Sequence, residues 1–558
     1  MSKGPEVRRS ISLRPETGAD LTDTDVVVIG AGTAGCVIAA KLSEVPDLRV
    51  VLVEAGPMDR NPWIHVPVGF SRLLHDDRVN WCYETVRQEA LGGRQIFWPR
   101  GKVVGGSNAI NGMIWVRGAP QDYDGWAEET GDPRWTWESV QRCFKSCEAA
   151  PEDADERLGR DGSITLSVPN PLSDAARAFI DAGEHIGLTP RRDLSISDET
   201  GVGEYLTTVR NGTRTSSAGS HLKPALYRKN LKLLTDTLAI SLKLDEDMGA
   251  TGVRLRRNGK SLLLNANRGV VLCGGAVNSP QLLMLSGIGD GEHLSSLGIG
   301  TRLHLPAVGR NLQDHYGTRI IARIADPITI NDDFRRPWRL VNHALQYVVR
   351  RQGPLTIGGA QAGAFLSTSG PDQRPDVQVH FLPLSSRGKG WSFHKFSGVT
   401  ANVCQLRPFS RGRILLRSAD PDVAPSIDPK YLSDVRDQRV LLEGLRLVRR
   451  IFAAPPLSTR FSAREEFPGP DHIGDDALLH YARSNGTTVF HPVGTCRMGK
   501  DEDAVVDTGF GVRKTKNLWV VDASVVPNIP SGNTNAVTMM LAERAGMALR
   551  DGFSRQAN

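Results

Sequence analysis

Residues 26–54 restrict the fold of this chain more than any other stretch. Val26-Val27-Val28-Ile29 is a short run of apolar, mostly β-branched residues, the composition of a strand buried on both faces. Gly30-Ala31-Gly32-Thr33-Ala34-Gly35 follows at once, then good helix formers from Cys36 to Glu44 with Pro46 as a stop. Arg49 to Val53 reads as a second strand and runs into Glu54. The unit is a strand, tight turn, helix and strand carrying a dinucleotide fingerprint. Gly30 lets the chain turn sharply. Gly32, lacking a side chain, lets backbone N–H groups approach a pyrophosphate, and Gly35 lets the helix pack close to the strand. The helix N-terminus turns its partial positive charge to the phosphates. Glu54 is placed to accept hydrogen bonds from a ribose diol. The unit alone does not separate FAD from NAD.

The rest of the chain bounds the answer further. Its 558 residues exceed one typical core and suggest roughly three to four domain-sized units. A formal charge of +6, with no long basic block, argues against nucleic-acid binding. Seven cysteines (36, 82, 143, 147, 273, 404 and 496) are scattered and have no zinc-site partners nearby, so no metal site is expected and a reducing, cytoplasmic setting fits. No apolar run reaches the eighteen residues of a membrane span, and no amphipathic anchor is evident. Arg8-Arg9 is followed by polar residues rather than an apolar export core, and residues 1–24 read as a flexible polar tail.

Beyond Glu54 the pattern changes. Residues 57–100 are rich in Pro, Trp and charge and suit a surface excursion. Gly105-Gly106-Ser107-Asn108 can bind an anion, wrap a flat ring, or serve as a plain turn. Leu231–Leu234, Ala239–Leu244, Gly269–Cys273 and Leu303–Pro306 read as strands. A helix is expected to start at Ser279-Pro280, with Pro280 at its first position. Val377–Leu382 and Gly412–Arg417 alternate like half-buried antiparallel strands, with Val377, Val379 and Phe381 on one face and Gln378, His380 and Leu382 on the other. Leu518–Asp522 returns to the first style, and Thr534–Arg550 reads as a helix ending before Gly552.

Six motifs in order resemble the glucose–methanol–choline (GMC) oxidoreductases, which are FAD enzymes. They are the Gly30–Gly35 turn with Glu54; Arg100-Gly101-Lys102 with Gly105-Gly106-Ser107 and Asn111; Arg214–Ala218; Gly275–Pro280 with Ser286–Gly289; Gly309–His315; and His491–Gly499 with Ser531–Asn535. Asn61–Pro67, Phe97–Lys102 and Asp122–Trp126 look most like the choline dehydrogenase and aliphatic-alcohol dehydrogenase branch. Asn108 departs from the pattern, since many relatives have Ser or Thr there.

The resemblance implies an α/β and α+β fold: a discontinuous Rossmann-like FAD-binding domain (25–165, 220–315 and 486–558) and an antiparallel-sheet substrate domain (166–219 and 316–485). It implies FAD contacts from Gly30, Gly32, Thr33, Ala34, Gly35, Glu54 and Ala55 in the first unit. Trp81 and Gly105, Gly106, Ser107, Asn111, Gly112, Met113 and Ile114 follow in the second segment. Ala239, Asp522, Ala523, Asn533, Asn535 and Thr538 complete the set. His491 matches the base that takes a hydroxyl proton while flavin N5 receives the hydride. Asn535 matches its partner and would hold the substrate oxygen beside it. His380 is either a pocket-lining residue or an ordinary polar residue on a strand face. His315 reads as structural. Where some relatives carry a histidine joined covalently to FAD, this chain has Ile110, so noncovalent FAD is expected.

The implied reaction is oxidation of a primary alcohol, with oxygen or a quinone as electron acceptor. Quinone use would place the chain peripherally on the inner membrane, and a homo-oligomer is compatible with the family. A non-redox or photochemical enzyme of the same fold, akin to hydroxynitrile lyases or fatty-acid photodecarboxylases, is the alternative; an NAD dehydrogenase is a more distant one.

Overall fold

The structure is a computed structural model that describes residues 24–168, 172–325, 329–387 and 392–555. The expected N-terminal tail lies outside the described residues, apart from Thr24. The N-terminal unit forms as the sequence predicts. Strand Val26–Ile29 is fully enclosed and pairs in parallel with Val50–Val53 on one side and Gly269–Leu272 on the other. Leu231–Leu234 and Leu518–Val520 complete a five-stranded parallel sheet. The first helix, Thr33–Leu42, starts three residues earlier than the helix formers alone suggest, because the glycine turn leads straight into it. A three-stranded antiparallel meander (Thr237–Leu244, Ala250–Arg257 and Lys260–Asn265) is attached to this half.

A larger sheet carries the other half. Its order is Arg464–Phe467, Tyr316–Arg323, Gly398–Gln405, Val377–Leu382, Ala362–Leu366, Gly201–Glu204 and Pro190–Arg191. Neighbours are antiparallel except the last pair. The alternation read from Val377–Leu382 has a direct cause. Val377, Val379 and Phe381 join an apolar core with Leu445, Val448 and Ile451 of helix Val435–Ala453 and Phe179 of helix Asp174–His185. Phe179 and Phe381 stack at 4.5 Å. Each such fully buried side chain contributes about 1.5–3 kcal/mol, which fixes the register and turns Gln378 and His380 to the other face.

Several expectations are corrected. Helix Gly275–Leu285 begins at the glycine turn, so Pro280 lies inside it rather than at its start. The carbonyl of Ala276, which Pro280 cannot serve, accepts a hydrogen bond from the Thr495 hydroxyl at 2.7 Å, and this satisfies the broken ladder. The last helix runs Thr534–Arg555, passing through Gly552. The strand near 412–417 is Arg413–Leu415 and forms a separate ribbon with Ser426–Asp428 instead of joining the large sheet. Pro337–Arg350 forms an amphipathic helix. Its apolar stripe faces solvent, with Trp338, Val341, Leu345, Val348 and Val349 each more than 60% exposed while Tyr347 turns inward. Thr487–Thr488, two residues past 485, still pairs with the large sheet at Tyr316-Gly317.

Candidate active site

A cavity of about 750 Å³ runs between the two sheets. One end is the glycine turn. Gly30 has φ +98° and a Cβ there would meet the Cys273 carbonyl at 2.5 Å; a Cβ on Gly35 would sit 1.8 Å from the Gly30 carbonyl. Gly32 is different, for its Cβ position has no neighbour closer than 4.0 Å and opens on the cavity. Helix Thr33–Leu42 has no side-chain cap, so its leading N–H groups are left for a ligand. Glu54 is buried beside the turn, accepting from the Ala31 N–H at 2.8 Å and the Gly56 N–H at 2.9 Å. Burial raises its carboxyl to about 7.

The second glycine loop lies against the first. The Gly105 N–H donates to the Ala31 carbonyl at 2.7 Å, and Gly106 has φ +54°, its Cβ position 2.6 Å from Gly32 Cα. Arg214 locks this loop. Its guanidinium reaches Asn111 Oδ1 at 2.7 Å, the Asn111 carbonyl at 2.8 Å and the Asn108 carbonyl at 3.1 Å. Asn108 in turn accepts from the Ser217 N–H at 2.7 Å, so the departure at 108 ties the loop to the Arg214 segment.

Most of the expected cofactor contacts line the cavity: Gly30, Gly32, Thr33, Ala34, Glu54, Ala55, Trp81, Gly106 and Ser107, then Asn111 to Ile114, Ala239, Asp522, Ala523, Asn533, Asn535 and Thr538. Gly35 and Gly105 stand behind the wall and support it. Asp522 accepts from the Gly275 N–H at 2.8 Å and the Ser279 hydroxyl at 2.6 Å, joining the C-terminal segment to the Gly275 turn.

At the other end three buried histidines gather: His491, His315 and His380. His315 Nε2 is 2.8 Å from the Leu406 carbonyl, which can only accept, so this nitrogen carries the proton. His315 Nδ1 is then an acceptor and receives the proton on His491 Nδ1, 3.0 Å away. His491 Nε2 is left with a bare lone pair, facing the Asn533 amide nitrogen at 3.0 Å. Asp314 pins the loop, accepting from the His491 N–H at 2.8 Å, the Thr488 hydroxyl at 2.5 Å and the Tyr431 hydroxyl. Burial first, then the neighbouring His315, His380 and Arg100, hold His491 well below the ordinary histidine range. Burial brings His315 and His380 to about 4.

Two expectations about this end need revision. Asn535 does not meet His491; its Oδ1 accepts from the Thr33 hydroxyl at 2.9 Å, and Asn533 takes the place beside the imidazole. His315 is more than structural, since it sets the tautomer of His491. Its place directly after Asp314 in the Gly309–His315 motif was the available signal. His380 lines the cavity, stacks on Tyr205 at 5.5 Å, and its buried Nε2 has no partner.

Family models for the GMC oxidoreductase N-terminal and C-terminal parts match residues 24–317 and 408–542. The chain belongs to the GMC oxidoreductase family. It is 41% identical over 548 residues to an alcohol dehydrogenase [acceptor] of Pseudomonas putida, covering 95% of this chain and 98% of that one. It is 39% identical over 531 residues to the mitochondrial choline dehydrogenase of Homo sapiens, covering 93% and 88%. The crystal structure of pyridoxine 4-oxidase from Mesorbium loti superposes with a TM-score of 0.86 at 30% identity, over 95% and 99% of the two chains.

The GMC oxidoreductase described here is therefore an FAD-dependent enzyme acting on CH–OH donors, and the non-redox alternative is not favoured. The cavity fits FAD on its own terms. It offers the open Gly32 cradle, an uncapped helix terminus, and two glycine loops packed backbone to backbone. Bound there, FAD supplies the two-electron acceptor for a hydride.

Proposed function

We propose that this GMC oxidoreductase oxidises a primary alcohol to an aldehyde with His491 Nε2 as the base. The observation that carries this reading is the proton order Leu406–His315–His491, which leaves a neutral imidazole with its lone pair turned to the cavity. An alcohol hydroxyl replaces the Asn533 amide as the donor to Nε2, and Asn533 and the unpartnered His380 Nε2 hold the oxygen. Asn535, at the start of helix Thr534–Arg555, belongs to the cofactor side, where the helix terminus adds partial positive charge. FAD is held noncovalently, with Ile110 at the position of the linking histidine.

Anaerobic mixing with a primary alcohol tests the reading. The holoenzyme should lose its visible flavin band, and His491→Gln should slow that bleaching roughly 10²–10⁴-fold at unchanged FAD content. Unchanged bleaching in the variant would remove His491 from the chemistry.

A quinone in an anionic bilayer is the acceptor this reading favours. Arginines 335, 336, 339, 350 and 351 lie in or beside helix Pro337–Arg350; Arg335 and Arg339 pair with Asp332 and Asp333, and the segment from 334 to 371 holds no further Asp or Glu. The arginines flank the exposed apolar stripe of helix Pro337–Arg350, and Ile330 and Ile357, on either side of that helix, line the cavity. A cationic helix with an exposed Trp and aliphatic stripe suits the headgroup boundary of an anionic membrane. Among the described residues no helix is long and apolar enough to cross a membrane.

A further inference from the structure

The wall opposite the glycine turn carries a cation that the alcohol chemistry does not use. Strand Tyr316–Arg323 pairs with Gly398–Gln405, which pairs with Val377–Leu382. Their registers set Arg319 opposite Asn402 and Asn402 opposite His380, one polar row across three strands. All three residues line the cavity, while Ile320 and Ala322 turn into the core behind the sheet. With strands ~4.8 Å apart, the backbone of Arg319 stands about 10 Å from that of His380.

Arg319 is distinct from the other arginines of the wall. Arg94 donates to the carbonyls of Arg483 and Gly486, and Arg100 to those of Pro99 and Phe490. Among the described residues no carboxylate meets the Arg319 guanidinium. Its neighbour is Tyr481, whose hydroxyl donates to the Arg319 carbonyl at 2.8 Å. The acids on the cavity wall, among the described residues, are Glu54 and Asp522, and both are engaged by backbone N–H groups at the cofactor end. A cationic alcohol would thus meet an arginine and no acid, a costly arrangement at low dielectric. The cavity wall also carries the apolar side chains Leu382, Leu384, Ile330, Ile357 and Phe393.

We propose that the substrate is a medium-chain hydroxy acid: its carboxylate is held by the Arg319 fork, its methylenes lie along the apolar wall, and its terminal CH₂OH lies at His491. The oxidation is the one proposed above, with a hydride leaving carbon to the flavin and the hydroxyl proton leaving to His491; the carboxylate is unchanged. A planar guanidinium suits a carboxylate as a bidentate partner. The inference rests on the reading of the His491 end as the site of oxidation.

The experiment compares ω-hydroxycarboxylates of about six to twelve carbons with 1-alkanols of equal length and with choline, using the holoenzyme and a dye acceptor. We expect kcat/KM for the hydroxy acids to exceed that for the alkanols roughly tenfold or more, the scale of one charge-assisted bidentate contact, with choline the poorest substrate. Arg319→Gln should abolish the gap by raising KM for the hydroxy acids roughly tenfold more than for the alkanols, and Arg319→Lys should restore part of it. A simple alkanoate, titrated against the flavin spectrum, should bind the native enzyme and bind Arg319→Gln roughly tenfold more weakly. Equal kcat/KM for the two series, preference for choline, or equal losses on both series in Arg319→Gln would overturn the proposal. The His491 reading fails separately, through alkanol oxidation that survives His491→Gln.

Discussion

His315 and His491 meet Nδ1 to Nδ1 at 3.0 Å, and the Leu406 carbonyl decides which ring carries the proton between them. Because that carbonyl claims the Nε2 proton of His315, His491 has to donate from Nδ1 and keep Nε2 bare. A backbone oxygen far along the chain therefore fixes the basic atom of the site. His315→Leu removes the acceptor and frees His491 to place its proton on Nε2, where it cannot act as a base. We predict a roughly 10–100-fold fall in kcat with a smaller change in KM, read by steady-state kinetics at constant flavin content. An unchanged kcat would show that the tautomer is set elsewhere.

The same burial predicts the pH profile. A histidine whose pKa is lowered keeps its neutral, basic form to a lower pH than the usual 6.5, and His491 is held well below that value. Activity that needs neutral His491 should therefore stay flat as pH falls through 6.5 and decline only further down. The measurement is kcat/KM for a neutral alkanol against pH. An acid limb centred at or above 6.5 would contradict the burial argument.

The cofactor half was legible because local rules decide it. The Val26–Glu54 unit combines a buried strand, a glycine turn and an acid within one short segment, and each part has one workable conformation. The histidine cluster was harder to read. His491, Asn533, His315 and His380 come from four separate segments, and their contacts depend on sheet register, not on spacing along the chain. The Asn533/Asn535 exchange shows the limit plainly: Asn533, just before the helix, reaches the imidazole, while Asn535, two residues on and inside it, reaches Thr33. The exposed stripe at Trp338–Val349 has a helical period in sequence, but the period alone does not say that its apolar side faces outward.

Gly106 offers a direct test of how the two glycine loops are joined. Its φ of +54° disfavours a side chain, and a Cβ would lie 2.6 Å from Gly32 Cα, where backbone has to move. Gly106→Ala should cost roughly 2–4 kcal/mol and open the cradle around Gly32. We expect a lower Tm and a reduced ratio of flavin to protein after purification. Full flavin content with native Tm would mean that the loops are not in backbone contact.

The exposed helix predicts lipid selectivity. Native holoenzyme should float with vesicles containing anionic phospholipid and remain behind with neutral ones. Leu345→Asp together with Val349→Asp should weaken binding roughly tenfold or more while solution activity with a dye is retained. Equal behaviour with both vesicle types would remove the bilayer as the partner of this face.

Ile110 makes the mode of flavin attachment testable without any kinetics. Its side chain is buried, 2% exposed, on the cavity wall between the Gly106 turn and Asn111. An aliphatic chain has no nucleophilic atom to join the isoalloxazine, so the noncovalent binding proposed above would rest on the glycine cradle, the helix termini and the Arg214-locked loop. Acid unfolds all three. Trichloroacetic acid should therefore leave a colourless pellet and a yellow supernatant, and added FAD should restore activity to enzyme stripped under milder conditions. A yellow pellet would mean that another side chain of the wall forms the bond, and mass spectrometry of its flavin peptide would identify that residue.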